Sequence, residues 1–553
     1  MRNRVWQLWL FFLAFAWLLP GGGQPWPNAF SDLAVAVLFC VAGSIVFFRH
    51  DSHPTLSGVS IVAFCLALTP ALQYVVGPLS FAGEAWVYSL YLFGLAMVIV
   101  LGSEWQSWAQ DEPVDTLFFA IAVGAVFSVG IQVCQWLEFD LFGVWLLPSP
   151  PERPHANFGQ PNNLGTFLIW GALAFAWGYH RRHVRGGLAL FGTCFLMFGV
   201  ALTQSRTAVL SAALVAGGLV LMRNRVTGAP ALARGAVVVF LVLLVFRLSL
   251  PSLNEASGIS HDIRRAGTAD AASLRLAVYR LFFDAAVARP LGYGWNGVGD
   301  AFFEKVADGP GFFAFFSHTH NLLLDLLVSL GWVVGLPLGV LLCVWVTTTA
   351  RALRSPGEML PFLLVMVAGC HSMLEFPLHY GTLLLPAGMM AGVVEQRMGR
   401  CRVPVKAAWV RMGVLFCSAL LAGIGRDVMV AQEAYRNLRL ERAQIVGSSL
   451  QSGGENFILL DQIATYFEFA TKDVTVRVTD ERISAYQRSL LTVSSPYDYL
   501  KLIQMLAIMG RVEEAQKWVE RMRKSLSPLH FAAMASTWVR WRESNPSMPD
   551  LVW

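Results

Sequence analysis

The side chains best placed to do chemistry fall in four polar clusters separated by long apolar stretches. The first is Ser317-His318-Thr319-His320-Asn321. Thr319 or Ser317 is expected to cap the helix that follows, which puts His320 and Asn321 in its first turn. The positive end of a helix disfavours a protonated imidazole, so His320 should stay neutral near pH 7 and be able to act as a base. A lone histidine in such a place more often bonds a neighbouring carbonyl; His318, two residues earlier, weakens that blander reading.

The second cluster, Thr203-Gln204-Ser205-Arg206-Thr207-Ala208, is a tight turn between apolar helices. Its guanidinium either snorkels to the interface or, with polar neighbours, clamps a pair of phosphate oxygens. The third, Asn157-Phe-Gly-Gln160-Pro-Asn162-Asn163, offers amides that both donate and accept, and Pro161 holds the chain extended before a helix capped by Asn162 or Asn163. Capping accounts for one asparagine but not for the cluster. The fourth, His371-Ser-Met-Leu-Glu375-Phe-Pro377-Leu-His379-Tyr380, gathers imidazoles and a carboxylate at a helix break. The four-residue steps between His371, Glu375 and His379 suit metal ligation, but Pro377 interrupts the helix that would align them. No metal or other cofactor is therefore expected.

These clusters need a scaffold, and composition says which kind. Of 553 residues 56% are apolar and 14% charged, and the mean hydropathy is +0.54, outside the range of a soluble globule. The net charge of +5 is spread over loops rather than drawn into a basic stripe, so nucleic acid is not an expected partner. Eight cysteines, nearly all inside apolar segments, indicate neither disulfides nor zinc. The first apolar stretch lacks an A-x-A cleavage site and reads as an uncleaved span.

Thirteen spans are predicted near 5–19, 33–48, 56–76, 85–101, 117–136, 163–179, 188–202, 207–222, 235–250, 320–349, 360–374, 380–396 and 408–428. Loops bearing Arg49, Arg181, Arg182, Arg185, Arg223, Arg225, Arg351, Arg354, Arg397 and Arg400 alternate with loops poor in arginine, which sets the amino terminus inside. Ser103 to Asp115, acidic and inside, departs from that pattern. The count leaves a loop, 251–319, outside, together with a soluble helical domain, 429–553, that follows a transmembrane domain, 1–428. The expected fold is an all-α, polytopic helical bundle with that tail.

In the loop, 271–289 reads as an amphipathic helix on the membrane, with Leu274, Val278, Leu281, Phe282 and Ala285 as its apolar face and Arg275 and Arg280 flanking it. The glycine-rich run 290–299 has no parallel-sheet context, so close packing suits it better than nucleotide binding. In the tail, 499–509, a Gly510-Arg511 turn and 512–522 resemble one tetratricopeptide-type unit.

Together these segments resemble the O-antigen ligase and protein O-oligosaccharyltransferase superfamily of bacterial inner membranes, over nearly the whole chain. His320-Asn321 followed by Gly331 is similar to the family's ligase motif, and Thr203 to Ala208 is similar to its Ser-Arg turn. Arg275, ahead of Pro290 and the glycine-rich run, is similar to a second family arginine, with Arg265 and Arg280 as competitors. Ser329 stands where many relatives carry an acidic residue. Phe158 to Asn163, His371 to Tyr380 and the helical tail more closely resemble the pilin-glycosylating branch.

The resemblance implies transfer of a preassembled oligosaccharide from undecaprenyl diphosphate to a serine or threonine hydroxyl of a periplasmic protein such as pilin. It implies His320 as general base and Arg206 with Arg275 on the diphosphate, without a metal. Gln160, Asn162, Asn163, His318, Asn321, Glu375 and Tyr380 would contact the acceptor or the sugar. An O-antigen ligase acting on lipid A core, a repeat-unit polymerase and a transporter of lipid-linked glycan are the rival readings.

Overall fold

The computed structural model describes residues 2–21, 25–49, 52–139, 141, 143–258, 268–307, 309, 311–445, 456–491 and 495–553. Arg265, one of the competing arginines, lies outside them.

Lipid offers no hydrogen bonds, so an apolar run that crosses it must satisfy its backbone internally as a helix. A helix covers each of the thirteen apolar stretches. They are α1 (Arg2–Ala16), α2 (Ala29–Arg49), α3 (Gly58–Val76), α4 (Ala82–Ala109), α5 (Glu112–Trp136), α6 (Pro161–His180), α7 (Gly186–Leu202), α8 (Arg206–Met222) and α9 (Ala229–Ala256). Two loop helices follow, α10 (Thr268–Ala288) and α11 (Val298–Val306). Then come α12 (Leu322–Ala352), α13 (Pro356–Ser372), α14 (Gly381–Arg397) and α15 (Ala407–Arg442). Seven of these, α2 to α5, α9, α12 and α15, are long and apolar enough to cross a bilayer, and α7, α8 and part of α1 are shorter apolar helices. The chain is an all-α, multi-pass membrane protein. Among the described residues the only strands are the two-residue pair Thr55–Leu56 and Val403–Pro404.

The chain forms two compact units. The first comprises Met1–Ala67, Leu90–Arg264 and Val344–Ala422. Its core is aromatic: Trp6 stacks on Trp105 at 3.9 Å, and Trp17, Trp170 and Phe167 are almost wholly buried. Helices α6, α7, α8 and α9 pack on one another, with α5 and α13 against α6. The acidic segment that departs from the arginine pattern acquires a reason here. Asp111 takes Arg397 at 2.6 Å and Arg181 at 2.5 Å, and Glu395 takes Arg400 at 3.1 Å.

The second unit comprises Leu68–Ser89, Arg265–Cys343 and Gly423–Trp553. Its α10 buries Val278, Leu281, Phe282 and Ala285, as the periodicity predicts, but Leu274 is 39% exposed and Ala286 takes a place in the buried face instead. The tail adds α16 (Asp461–Thr471), α17 (Asp480–Ser489), α18 (Pro496–Ile508), α19 (Val512–Ser525) and α20 (Pro528–Glu543), with Gly510 at φ +77° turning α18 into α19. Phe303 of α11 packs edge-on against Tyr499 and Trp518 of that pair. Helix α15 runs through residue 428 without interruption.

The span expected at 320–349 is not one continuous helix. It breaks at Gly331, which adopts φ +68° and ψ 172°. The carbonyls that the break exposes are taken by the glycine-rich run: Tyr293 N–H donates to Val328 O at 2.8 Å and Gly294 N–H to Ser329 O at 3.1 Å. Gln73 closes the arrangement, donating to Ser329 O at 2.9 Å while its oxygen accepts Trp295 N–H at 3.1 Å. Only glycine fits this seam. A Cβ on Gly331 would lie 1.9 Å from Pro290 O, and one on Gly292 would lie 2.5 Å from Gly331 N. The run therefore packs closely on a helix, as expected, and the reason is the repair of a broken one.

Candidate functional site: an amide-held arginine turn and a left-handed histidine

In the first unit, three of the polar clusters are wired together. Asn162 is the node: its nitrogen donates to Glu375 Oε1 at 3.2 Å and its oxygen accepts from Ser205 Oγ at 2.7 Å. Ser205 Oγ in turn accepts Ala208 N–H at 3.0 Å, which makes Ser205 the cap of α8 and Arg206 its first residue. Asn163 is buried in the first turn of α6 with its Oδ1 unpartnered among the described residues, and Tyr380 stands half-buried at the start of α14. Neither asparagine caps α6. Gln160 occupies the cap position with extended backbone and no side-chain bond, because Pro161 is already pre-set for the first helical position. Asn157 instead ties its own loop, bonding Leu147 N–H and the carbonyls of Leu18 and Trp145.

Arg206 is exposed and makes no hydrogen bond or ion pair among the described residues. A cation on the first residue of a helix faces the positive end of the macrodipole, so this placement is locally unfavourable. Two more arginines add to it. Arg153 Nε donates to Thr203 O at 3.4 Å, and the charges of both Arg153 and Arg206 bear on Arg247 of α9. Arg247 Nη1 is buried without a partner, and none of the three has a carboxylate among the described residues. A helix start beside three guanidinia without carboxylate partners has the charge and donors that suit a multiply charged anion.

The remaining members of the fourth cluster part company. His371 is fully buried, with Nδ1 2.8 Å from Thr166 Oγ1 and Nε2 without a partner among the described residues. His379 is exposed on a short turn, Pro377–His379. Among the described residues no three His, Cys, Asp or Glu side chains converge on a metal position.

In the second unit, α12 starts at Leu322, and its cap is Asn321 rather than Thr319 or Ser317. Asn321 Oδ1 accepts Leu324 N–H at 3.1 Å. Thr319, fully buried, donates to Asn321 O at 2.9 Å, and its own N–H goes to Asp325 Oδ1 at 2.9 Å. His320 thus precedes the helix instead of entering its first turn, and it holds φ +56°, a left-handed conformation that costs a side-chain-bearing residue energy. Its carbonyl accepts the Tyr279 hydroxyl at 3.3 Å, and Phe316 meets its ring edge-on. Arg275 lies one turn before Tyr279 on the same face of α10, and its side chain is exposed. Arg280 lines a separate groove with Tyr279, Phe283, Asp284, Asn321 and Leu324. His318 is half-buried on the approach to His320.

Residues 189–339 match the family described as O-Antigen ligase. The matched stretch contains Arg206, Arg247, Arg275, His320 and Gly331, with the glycine-rich run between them. Residues 359–538 match a second family, described as virulence factor membrane-bound polymerase, C-terminal, which takes in Glu375 and Tyr380. Among curated relatives the chain is similar to a General O-oligosaccharyltransferase of Acinetobacter baylyi, 26% identical over 94% of this chain and 92% of the relative. It is also similar to a ComP-specific O-oligosaccharyltransferase of the same organism, 22% identical over 70% of each chain. No solved structure matches the chain. The protein is a membrane glycosyltransferase.

Sequence reasoning passed over Arg247 because it sits inside an apolar run read only as a span, 235–250. The available signal was the run itself: an arginine among intramembrane residues marks a functional position until a partner is found for it.

Proposed function

We propose that the protein transfers a preassembled oligosaccharide en bloc from undecaprenyl diphosphate to serine or threonine hydroxyls of periplasmic proteins, pilin among them, at the inner membrane. The observation that carries the reading is the arginine turn: three guanidinia and a helix start that favour a diphosphate and have no acid among the described residues to neutralise them. The similarity to a General O-oligosaccharyltransferase along almost the whole chain supports a protein acceptor.

In this reading the acceptor oxygen attacks the anomeric carbon while His320 removes its proton. The bond from that carbon to the diphosphate oxygen breaks, and the electron pair leaves with undecaprenyl diphosphate. Arg206 and Arg275 stabilise the charge that develops there, the term in such reactions that is usually largest. One displacement inverts the anomeric centre. Gln160, Asn162, Asn163, Glu375 and Tyr380 orient the sugar or the acceptor, and His318 and Asn321 hold the segment that presents His320.

Purified protein given lipid-linked oligosaccharide and a pilin acceptor should raise the acceptor mass by one whole glycan. His320→Asn tolerates the left-handed backbone but removes the base, so transfer should fall by about 10²–10⁴-fold with thermal melting unchanged. Full activity in that variant would remove His320 from the mechanism. Modification of lipid A core with pilin left untouched would favour the ligase reading instead.

A further inference from the structure

Helices α6, α7, α8 and α9 of the first unit enclose a cavity of about 290 Å³ that the arginine turn leaves unexplained. Its lining is almost wholly apolar, and nine of the twenty residues are alanine or glycine, among them Ala212, Ala216, Gly235 and Ala236. Small side chains on four neighbouring helices leave a slot wider than close packing requires. A Cβ added at Gly235 would meet no atom within 4 Å, so the space is open there.

The slot and the arginines belong to the same two helices. Ala212 lies six residues beyond Arg206 on α8, about 9 Å at 1.5 Å per residue. Phe240, also in the lining, lies seven residues before Arg247 on α9, about 10 Å along the axis. One ligand reaching both would carry negative charge at one end and a long apolar chain at the other. Arg247, with Nη1 buried and without a partner among the described residues, stands where head and chain would join.

We infer that this cavity seats the chain of a polyprenyl diphosphate whose head group lies on Arg153, Arg206 and Arg247. The inference rests on the donor proposed above and adds a chain seat and two head-group residues, Arg153 and Arg247. A polyprenyl chain bears a methyl branch on every unit and is thicker than a straight acyl chain, which suits a slot lined by alanine and glycine. Three guanidinia suit a diphosphate better than the single charge of a phosphodiester.

The test measures binding of undecaprenyl diphosphate and of geranyl diphosphate to the full chain in detergent by native mass spectrometry, with glycan transfer followed in parallel. Gly235→Leu fills the slot, replaces glycine by a better helix former and meets nothing at Cβ, so the protein should fold. It should weaken undecaprenyl diphosphate about tenfold and leave the short geranyl chain unaffected. Arg247→Met should weaken both chain lengths about tenfold. If Gly235→Leu affects both ligands alike or neither, or if phosphatidylglycerol displaces undecaprenyl diphosphate at equal concentration, the chain seat is refuted. If Arg247→Met changes neither affinity, the head-group assignment is refuted. Selective binding by a wild-type protein that transfers no glycan would overturn the proposed function while leaving the seat; normal transfer with unchanged binding in Gly235→Leu would do the reverse.

Discussion

The two ends of α6 hold their arginines in opposite ways. At its carboxyl end Arg181 shares Asp111 with Arg397, and Arg400 pairs with Glu395. At its amino end Asn162 leads through Ser205 to Arg206, and neither that arginine nor Arg153 or Arg247 has a carboxylate among the described residues. Both groups lie within a few residues of long apolar helices, where an uncompensated charge is costly. The first group is neutralised by the protein itself and serves as structure. The second has no such neutralisation among the described residues, and Glu375 is engaged with the Asn162 amide.

Four changes would break or sharpen that contrast. Arg397 is 12% exposed in its side chain and bonds Gln106 as well as Asp111, so Arg397→Met should cost about 2 kcal/mol, read as a fall in melting temperature in detergent. Asn162→Ala cuts the link from Glu375 to the α8 cap and should cost about 1–2 kcal/mol by the same measurement, with transfer falling as the Arg206 turn loosens. Arg206→Met should leave stability within about 0.5 kcal/mol of the parent, or raise it, because it removes a cation from a helix start; a loss as large as that of Arg397→Met would abolish the distinction.

The smallest effect concerns His155, beside Arg153. Burial holds this imidazole below the usual range of about 6.5, so in mild acid the native state binds fewer protons than the unfolded chain. Its contribution to stability is intact above that value and is lost as pH falls towards the depressed native one. His155→Gln should flatten this limb of a melting-temperature profile below about pH 6.5.

Much of the scaffold was legible because lipid reduces folding to one question, where apolar runs begin and end. Thirteen runs gave thirteen helices, and periodicity placed Val278, Leu281, Phe282 and Ala285 on the buried face of α10. The caps were harder. Ser317, Thr319, Asn321, Asn162 and Asn163 are all good cap residues, and the choice among them turned on tertiary contacts: Asp325 drawing Thr319 inward, Ser205 and Glu375 claiming Asn162. The break in α12 was hidden for the same reason, since the carbonyls it exposes on Val328 and Ser329 find their donors in Tyr293 and Gly294, far back in the sequence. Arg206 could be read from its turn, whereas Arg247 was masked by the apolar run around it.

That seam between the glycine-rich run and the broken helix also makes a statement about time. Leu291 is 61% exposed, which taken alone suggests an ordinary surface loop. Yet the amides of Tyr293 and Gly294 end on carbonyls of α12. Their hydrogens should exchange with solvent only when the second unit opens, at rates typical of a helix interior rather than of a loop. Leu291 faces outward, but Tyr293 is buried and Trp295 and Asn296 bond Thr69 and Glu84, so side chains and backbone here should keep one conformation for as long as the protein stays folded.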